Sequence, residues 1–137
     1  MKRTTGANTL ESAAFYAKLL GKDGDYFTAV GNAHAGLGEM AKALEAYRSG
    51  LADDPQAGDN VLGLMKTLSA EHRNVVIEHY KALNDNDEWF VSFSDTLLGK
   101  GDADTLRVLI DIHRTVMPDD ENLPVCEKAL AELLQTN

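Results

Sequence analysis

Residues 26–55 read YFTAVGNAHAGLGEMAKALEAYRSGLADDP, and their spacing predicts two helices joined by a tight turn. Larger side chains recur every three or four residues, which places them on one face of each helix. Gly38 breaks the first helix, and Asp53-Asp54-Pro55 ends the second, because proline disfavours helical backbone in the residue before it. Helices joined so closely must pack antiparallel. The small residues Gly31 and Ala43 mark where they should approach each other.

The same pattern returns 63 residues further along the chain, where Phe90 corresponds to Phe27. The offset is constant for seven positions, which makes a chance match improbable. Ser94 replaces the glycine of the first copy, and His113 stands where the first copy has Gly50. The seven positions of the second copy are Phe90, Phe93, Leu97, Gly101, Leu106, Ile110 and Pro118.

Three further segments have helical periodicity. A shorter helix pair lies between the two copies, with its internal boundary expected between Ser69 and Asn74, either of which could cap a helix. One amphipathic helix precedes the first copy and ends at Gly21. Another follows the second copy, with Asn122 as the expected cap and Pro124 in its first turn. No strand pattern competes with these helices.

Residues 24–57 resemble a tetratricopeptide repeat, whose period is about 34 residues with aromatic, Leu-Gly, Ala and Pro signatures. Phe27 stands at the leading aromatic position, Val30-Gly31 at Leu-Gly, Ala43 at Ala and Pro55 at Pro. The resemblance implies an all-α, right-handed superhelical stack of about three helix-turn-helix pairs in one domain, 1–137. The expected segments are a flanking helix at 8–21, repeats at 24–57, 58–86 and 87–120, and a capping helix at 122–135.

The charge distribution limits the classes of partner. The net charge is −9, and residues 85–121 hold 10 acidic and 3 basic side chains, a net of −7. Nucleic acid binding requires phosphate neutralisation, so this balance argues against it, whereas it could attract a basic partner. No apolar run is long enough to span a membrane. No secretory signal pattern is present, and the lone Cys126 fits a reducing compartment, so we expect a cytoplasmic location.

The sequence contains no catalytic, cofactor-binding or metal-binding motif. The glycine stretches at 21–24, 36–38 and 99–101 are too short for a phosphate loop and are better explained as helix ends. We expect His34 to be a core residue with a hydrogen-bond partner and His113 to pack between helices. The acidic run 84–88 lacks the glycine and distal glutamate of a calcium loop, which favours a helix-capping turn. Trp89 either packs against the preceding helix or marks a contact surface, and packing is favoured.

The resemblance also implies a concave groove lined by the first helix of each repeat. The corresponding positions are Asp25, Thr28, Asn32, Asp59, Leu62, Lys66, Glu88, Val91 and Asp95. The family's carboxylate clamp needs several Lys, Arg and Asn residues, whereas only Asn32 and Lys66 are suitable here. Leu62 and Val91 would provide an apolar floor inside an acidic rim. This groove would suit a segment with apolar anchors and some Lys or Arg.

The resemblance therefore implies a scaffold or adaptor that binds a peptide or a partner protein and is not an enzyme. One alternative is an interaction or regulatory segment of a larger multidomain enzyme or secretion machine. Another is a small chaperone of secreted proteins. The sequence also leaves a homo-oligomer open. Charge reversal at Asp59 and Asp95 should weaken partner binding in a salt-dependent way.

Overall fold

The computed structural model of the chain describes residues 5–68 and 72–136. Eight α-helices run through these residues, and no strand occurs among them, which confirms the predicted all-α class. In chain order the helices are α1 (Thr5–Leu20), α2 (Gly24–Gly36), α3 (Met40–Asp53), α4 (Gly58–Thr67), α5 (Arg73–Ala82), α6 (Asn86–Lys100), α7 (Ala103–Val116) and α8 (Asn122–Thr136).

The backbone divides into two compact units, Met1–Ala82 and Leu83–Asn137, called unit 1 and unit 2 below. Unit 1 contains α1 to α5, and unit 2 contains α6 to α8. The expectation of one domain over 1–137 stays a prediction.

Unit 1 is built around the ring of Tyr47, which lies between two glycines. α2 packs on α1, α3 and α4, while α4 also packs on α3 and α5. A Cβ atom at Gly31 in α2 or at Gly63 in α4 would lie 2.7 Å from Cδ1 of Tyr47. The predicted close approach at Gly31 is thus confirmed. Tyr47 is 1 % exposed, and its burial raises the pKa of the phenol to about 12.

The predicted helix ends of the first copy are present in unit 1. The Asp23 carboxylate accepts the Tyr26 N–H at 2.9 Å and caps the start of α2. Gly38 follows α2 with a φ of 80°, a left-handed conformation that glycine adopts without steric cost. α3 ends at Asp53, two residues before Pro55.

In unit 2, α6, α7 and α8 all pack on one another. His113 of α7 is fully buried, and its ring stacks on Phe90 of α6 with 3.9 Å between centroids and 6° between planes. Nε2 of His113 lies 2.6 Å from a carboxylate oxygen of Asp120. The prediction that His113 packs between helices is confirmed.

Of the starts of α1, α5 and α8, that of α1 differs from its prediction and the other two agree. α1 begins at Thr5 instead of residue 8. α5 begins at Arg73, inside the predicted boundary, although Ser69 lies outside the described residues. α8 begins at Asn122, whose backbone N–H donates to the Asp120 carboxylate at 3.0 Å. The predicted Asn122 cap is therefore wrong, because the acceptor at this helix start is Asp120.

The acidic run before α6 also differs in detail from its prediction. Asp85 precedes the helix with a φ of 55°, and its side chain accepts no capping hydrogen bond. Asp87 and Glu88 lie in the first turn, where their charge favours the positive end of the helix dipole.

Candidate functional site

The nine predicted groove residues are divided between the two units. In unit 1, Asp25, Asn32, Asp59 and Lys66 are exposed, Thr28 is half-buried, and Leu62 is only 7 % exposed. In unit 2, Glu88, Val91 and Asp95 are all exposed. Leu62 therefore belongs to the core and does not form an open apolar floor.

Polar side chains at the predicted binding surface of unit 1 form hydrogen bonds within the protein. The Thr28 hydroxyl of α2 lies 2.9 Å from Oδ1 of Asn60 in α4, and Nδ2 of Asn60 donates to the Gly24 carbonyl at 3.3 Å. Asn60 is fully buried. The Tyr47 hydroxyl donates to Oδ1 of Asn32 at 2.6 Å. These polar groups already have partners, so a ligand would have to compete for them.

Unit 2 has an open groove between α6 and α8, with a cavity of about 120 Å³. Two aliphatic side chains stand exposed at its rim, Val91 of α6 at 42 % and Val125 of α8 at 67 %. The exposed carboxylate of Asp95 lies beside them, one helical turn after Val91. We call this site the α6–α8 groove. It contains two of the nine predicted residues, Val91 and Asp95.

The floor of the α6–α8 groove is buried and internally satisfied. The Ser94 hydroxyl donates to the Phe90 carbonyl at 2.7 Å and accepts the Cys126 thiol at 3.4 Å. Burial raises the pKa of the Cys126 thiol, the Ser94 hydrogen bond opposes this, and the charges of Glu127 and Asp95 add to it. The thiol therefore stays protonated near neutral pH and is a poor nucleophile.

Further contacts hold Phe90, one of the residues that line the α6–α8 groove. Phe90, which lines the groove, stacks on His113, and His113 contacts Asp120. The Asp120 side chain is only 7 % exposed. Its pKa lies below the ordinary 3.8, chiefly because it accepts the Asn122 backbone N–H, with a further contribution from His113. The start of α8 is thus linked to Phe90 of α6 through the Asp120 carboxylate and the His113 ring.

The prediction of the groove missed Val125, although the sequence contained the signal. The offset of 63 residues that relates the two copies also relates α4 to α8. Leu62 then corresponds to Val125, Asn60 to Leu123 and Gly63 to Cys126. α8 packs on α6 and α7 as α4 packs on α2 and α3, so the groove position of Val125 can be inferred from Leu62.

A second concavity, of about 410 Å³, lies between α2 and α3 in unit 1. Half-buried His34 lies at its side, with Nδ1 3.0 Å from a carboxylate oxygen of Glu39. The prediction that His34 has a hydrogen-bond partner is confirmed, but the residue lines a surface depression and is not in the core. The hydrogen bonds of Glu39 to His34 and Lys42 lower the pKa of its carboxyl.

Among the described residues, no group of three or more His, Cys, Asp or Glu side chains could hold a metal ion. Half-buried Trp89 contacts Phe93 on its own helix, with ring centroids 5.4 Å apart. Within residues 5–68 and 72–136, the helices lack the length and apolar character needed to cross a bilayer.

Comparison with known proteins adds no relative. No family model matches the chain, and no curated protein or solved structure is significantly similar to it.

Proposed function

We propose that the chain is a non-enzymatic scaffold or adaptor that binds a segment of another protein. Its helix pairs would form a right-handed stack of the tetratricopeptide type, as the spacing of residues 24–57 and its copy suggest. The lone Cys126 supports a cytoplasmic setting.

The observation that carries the proposal is the exposure of Val91 and Val125 on both sides of one groove. Exposed aliphatic side chains that line a cavity gain free energy when a partner covers them. The neighbouring polar atoms of Ser94 and Cys126 already bond to the protein, so a partner that covers them leaves neither atom unsatisfied. Such a surface suits binding better than catalysis.

Affinity capture from the native cell with matched variants tests this function. The bait proteins are the wild-type chain, Val91→Glu/Val125→Glu, and Leu134→Glu. Leu134 is a good control, because it is 42 % exposed on the same helix α8 but does not line the groove. Mass spectrometry identifies the proteins retained by each bait.

We expect the wild-type and Leu134→Glu baits to retain a common protein that Val91→Glu/Val125→Glu loses. Retention by all three baits would move the binding surface away from this groove. If none of the baits retains any protein above the background of beads alone, the adaptor function is wrong. Circular dichroism spectra of the three proteins check that each has the same helical content.

A further inference from the structure

The α6–α8 groove has features that specify the chemistry of its partner, and the inference below rests on the proposed binding function. The cavity of about 120 Å³ approaches the size of the apolar cavities of roughly 150 Å³ that hold a whole benzene molecule. We therefore expect it to be large enough for one aliphatic side chain. Phe90, Leu98 and Ala129 join the two exposed valines in lining it, so an apolar side chain fits its surface.

The charge next to the cavity favours a cation. Asp95 lines the groove and is exposed, and it forms no ion pair with any residue in 5–68 or 72–136. Arg114, a cation of the same unit, already pairs with two other carboxylates, those of Asp111 and Glu127. Unit 2 has 12 acidic and 4 basic side chains, a net of −8, so its long-range field also attracts positive charge.

The distance between these two features sets the spacing on the partner. Val91 and Asp95 are four residues apart on α6, which places their Cβ atoms roughly 5–6 Å from each other. On the partner, two side chains on the same face have about this separation when they are three or four residues apart in a helix, or about two residues apart in a strand.

We propose that the α6–α8 groove binds a protein segment with one aliphatic anchor and a Lys or Arg beside it on the same face. The anchor enters the cavity between Val91 and Val125, and the cation pairs with the Asp95 carboxylate. A second copy of this chain is a poorer occupant, because two units of net charge −8 repel each other.

Selection from a library of displayed random peptides tests this chemistry. The wild-type chain is the target, and Val125→Glu removes peptides that bind elsewhere. We expect the surviving peptides to share Leu, Ile, Val or Met with a Lys or Arg at the spacing above. Replacement of the anchor by Ala should weaken binding about tenfold or more. Replacement of the cation by Ala should weaken it about two- to fivefold, and less at high salt.

A charge exchange gives the sharper measurement. The Asp95→Lys variant should lose affinity for the selected peptides and regain it when their Lys or Arg is replaced by Glu. In methyl NMR spectra, the peptides should shift the Val91 and Val125 signals and leave those of Leu134 unchanged. Leu134→Glu should bind the peptides like the wild-type chain.

Five outcomes would overturn the inference. Selected peptides could lack the shared pair, Asp95→Lys could leave their affinity unchanged, or light scattering could show a dimer that Val125→Glu dissociates. Peptides that bind but shift signals of unit 1 alone would overturn this inference while leaving the adaptor function intact. A library that yields no binder also overturns it, and the capture experiment then decides the adaptor function separately.

Discussion

Helices α2, α3 and α4 of unit 1 and helices α6, α7 and α8 of unit 2 pack in the same pairs, but their central residues differ in polarity. In unit 1 a hydrogen bond between Thr28 and Asn60 joins the first and third helices. Their counterparts at an offset of 63 residues are Val91 and Leu123, which cannot form it. The same framework thus contains a partly buried hydrogen bond between two helices in unit 1, whereas Val91 lies exposed at an open groove in unit 2.

The position of Gly50 and His113 shows how the two units fill equivalent space. A Cβ atom at Gly50 would lie 2.9 Å from Cβ of Phe27 and 2.8 Å from Cγ of Asn60. At the corresponding place in unit 2, His113 stacks on Phe90 and occupies the space itself. The buried polar residue is thus Asn60 of the third helix in unit 1 and His113 of the second helix in unit 2. The third helix of unit 2 has the apolar Leu123 at the position of Asn60.

The largest effect is expected from removal of the His113 ring. His113→Ala would leave a void against Phe90 and a nearly buried Asp120 without this partner, so we expect a loss of about 2–4 kcal/mol in the free energy of unfolding. Urea denaturation measures it. A loss below about 0.5 kcal/mol would mean that His113 does not organise unit 2.

The glycine contacts of unit 1 should give the next largest effect. Gly63→Ala would place a methyl group against the buried Tyr47 ring, and we expect a destabilisation of about 1–3 kcal/mol in urea denaturation. Gly99→Ala is the matched control, since nothing lies within 4 Å of its added Cβ. This control should be neutral or stabilising by up to about 1 kcal/mol. Equal effects of the two substitutions would contradict the close contact.

The hydrogen bond that distinguishes unit 1 can be tested with a double-mutant cycle. Thr28→Val alone should cost about 1 kcal/mol, because Oδ1 of Asn60 stays buried without this donor. Thr28→Val/Asn60→Leu introduces the residues of unit 2 at both positions. The double variant should be more stable than the sum of the two single effects predicts, with a coupling of about 0.5–1.5 kcal/mol. Strict additivity would indicate that the two side chains do not interact.

The smallest effect concerns the acid stability of unit 2. The pKa of Asp120 is lowered in the folded chain, first by the Asn122 N–H and then by His113. Its contribution is therefore present above its ordinary pKa of 3.8 and is lost as the pH falls through the lower folded value. The stability difference between the wild-type chain and Asp120→Asn should shrink on acidification below that pH. A difference that stays constant in urea titrations across this range would exclude the linkage.

The helices were predictable from the sequence because periodicity and helix ends are local properties. Gly38 and Pro55 predicted where the two helices of the first copy end, and the constant offset from Phe27 to Phe90 predicted the second helix pair. The handedness of the complete stack stays a prediction, since it depends on small rotations between successive helix pairs.

The candidate site was less predictable, because exposure depends on contacts between distant helices. Leu62 and Val125 occupy equivalent positions, yet one is 7 % and the other 67 % exposed. Neither value follows from the residue type. Similarly, the Asn122 cap failed because Asp120, two residues earlier, supplies a charged acceptor held by His113.

Cys126, the single cysteine of the chain, lines the α6–α8 groove and is 5 % exposed. The chain therefore contains its own chemical reporter at this place, with no label to be introduced. Alkylation of the thiol should be slow in the folded protein and should accelerate whenever α8 moves away from α6. A molecule seated in the groove should slow the reaction further. A mass spectrum taken at timed intervals could thus follow both the opening of unit 2 and its occupancy in one unmodified sample.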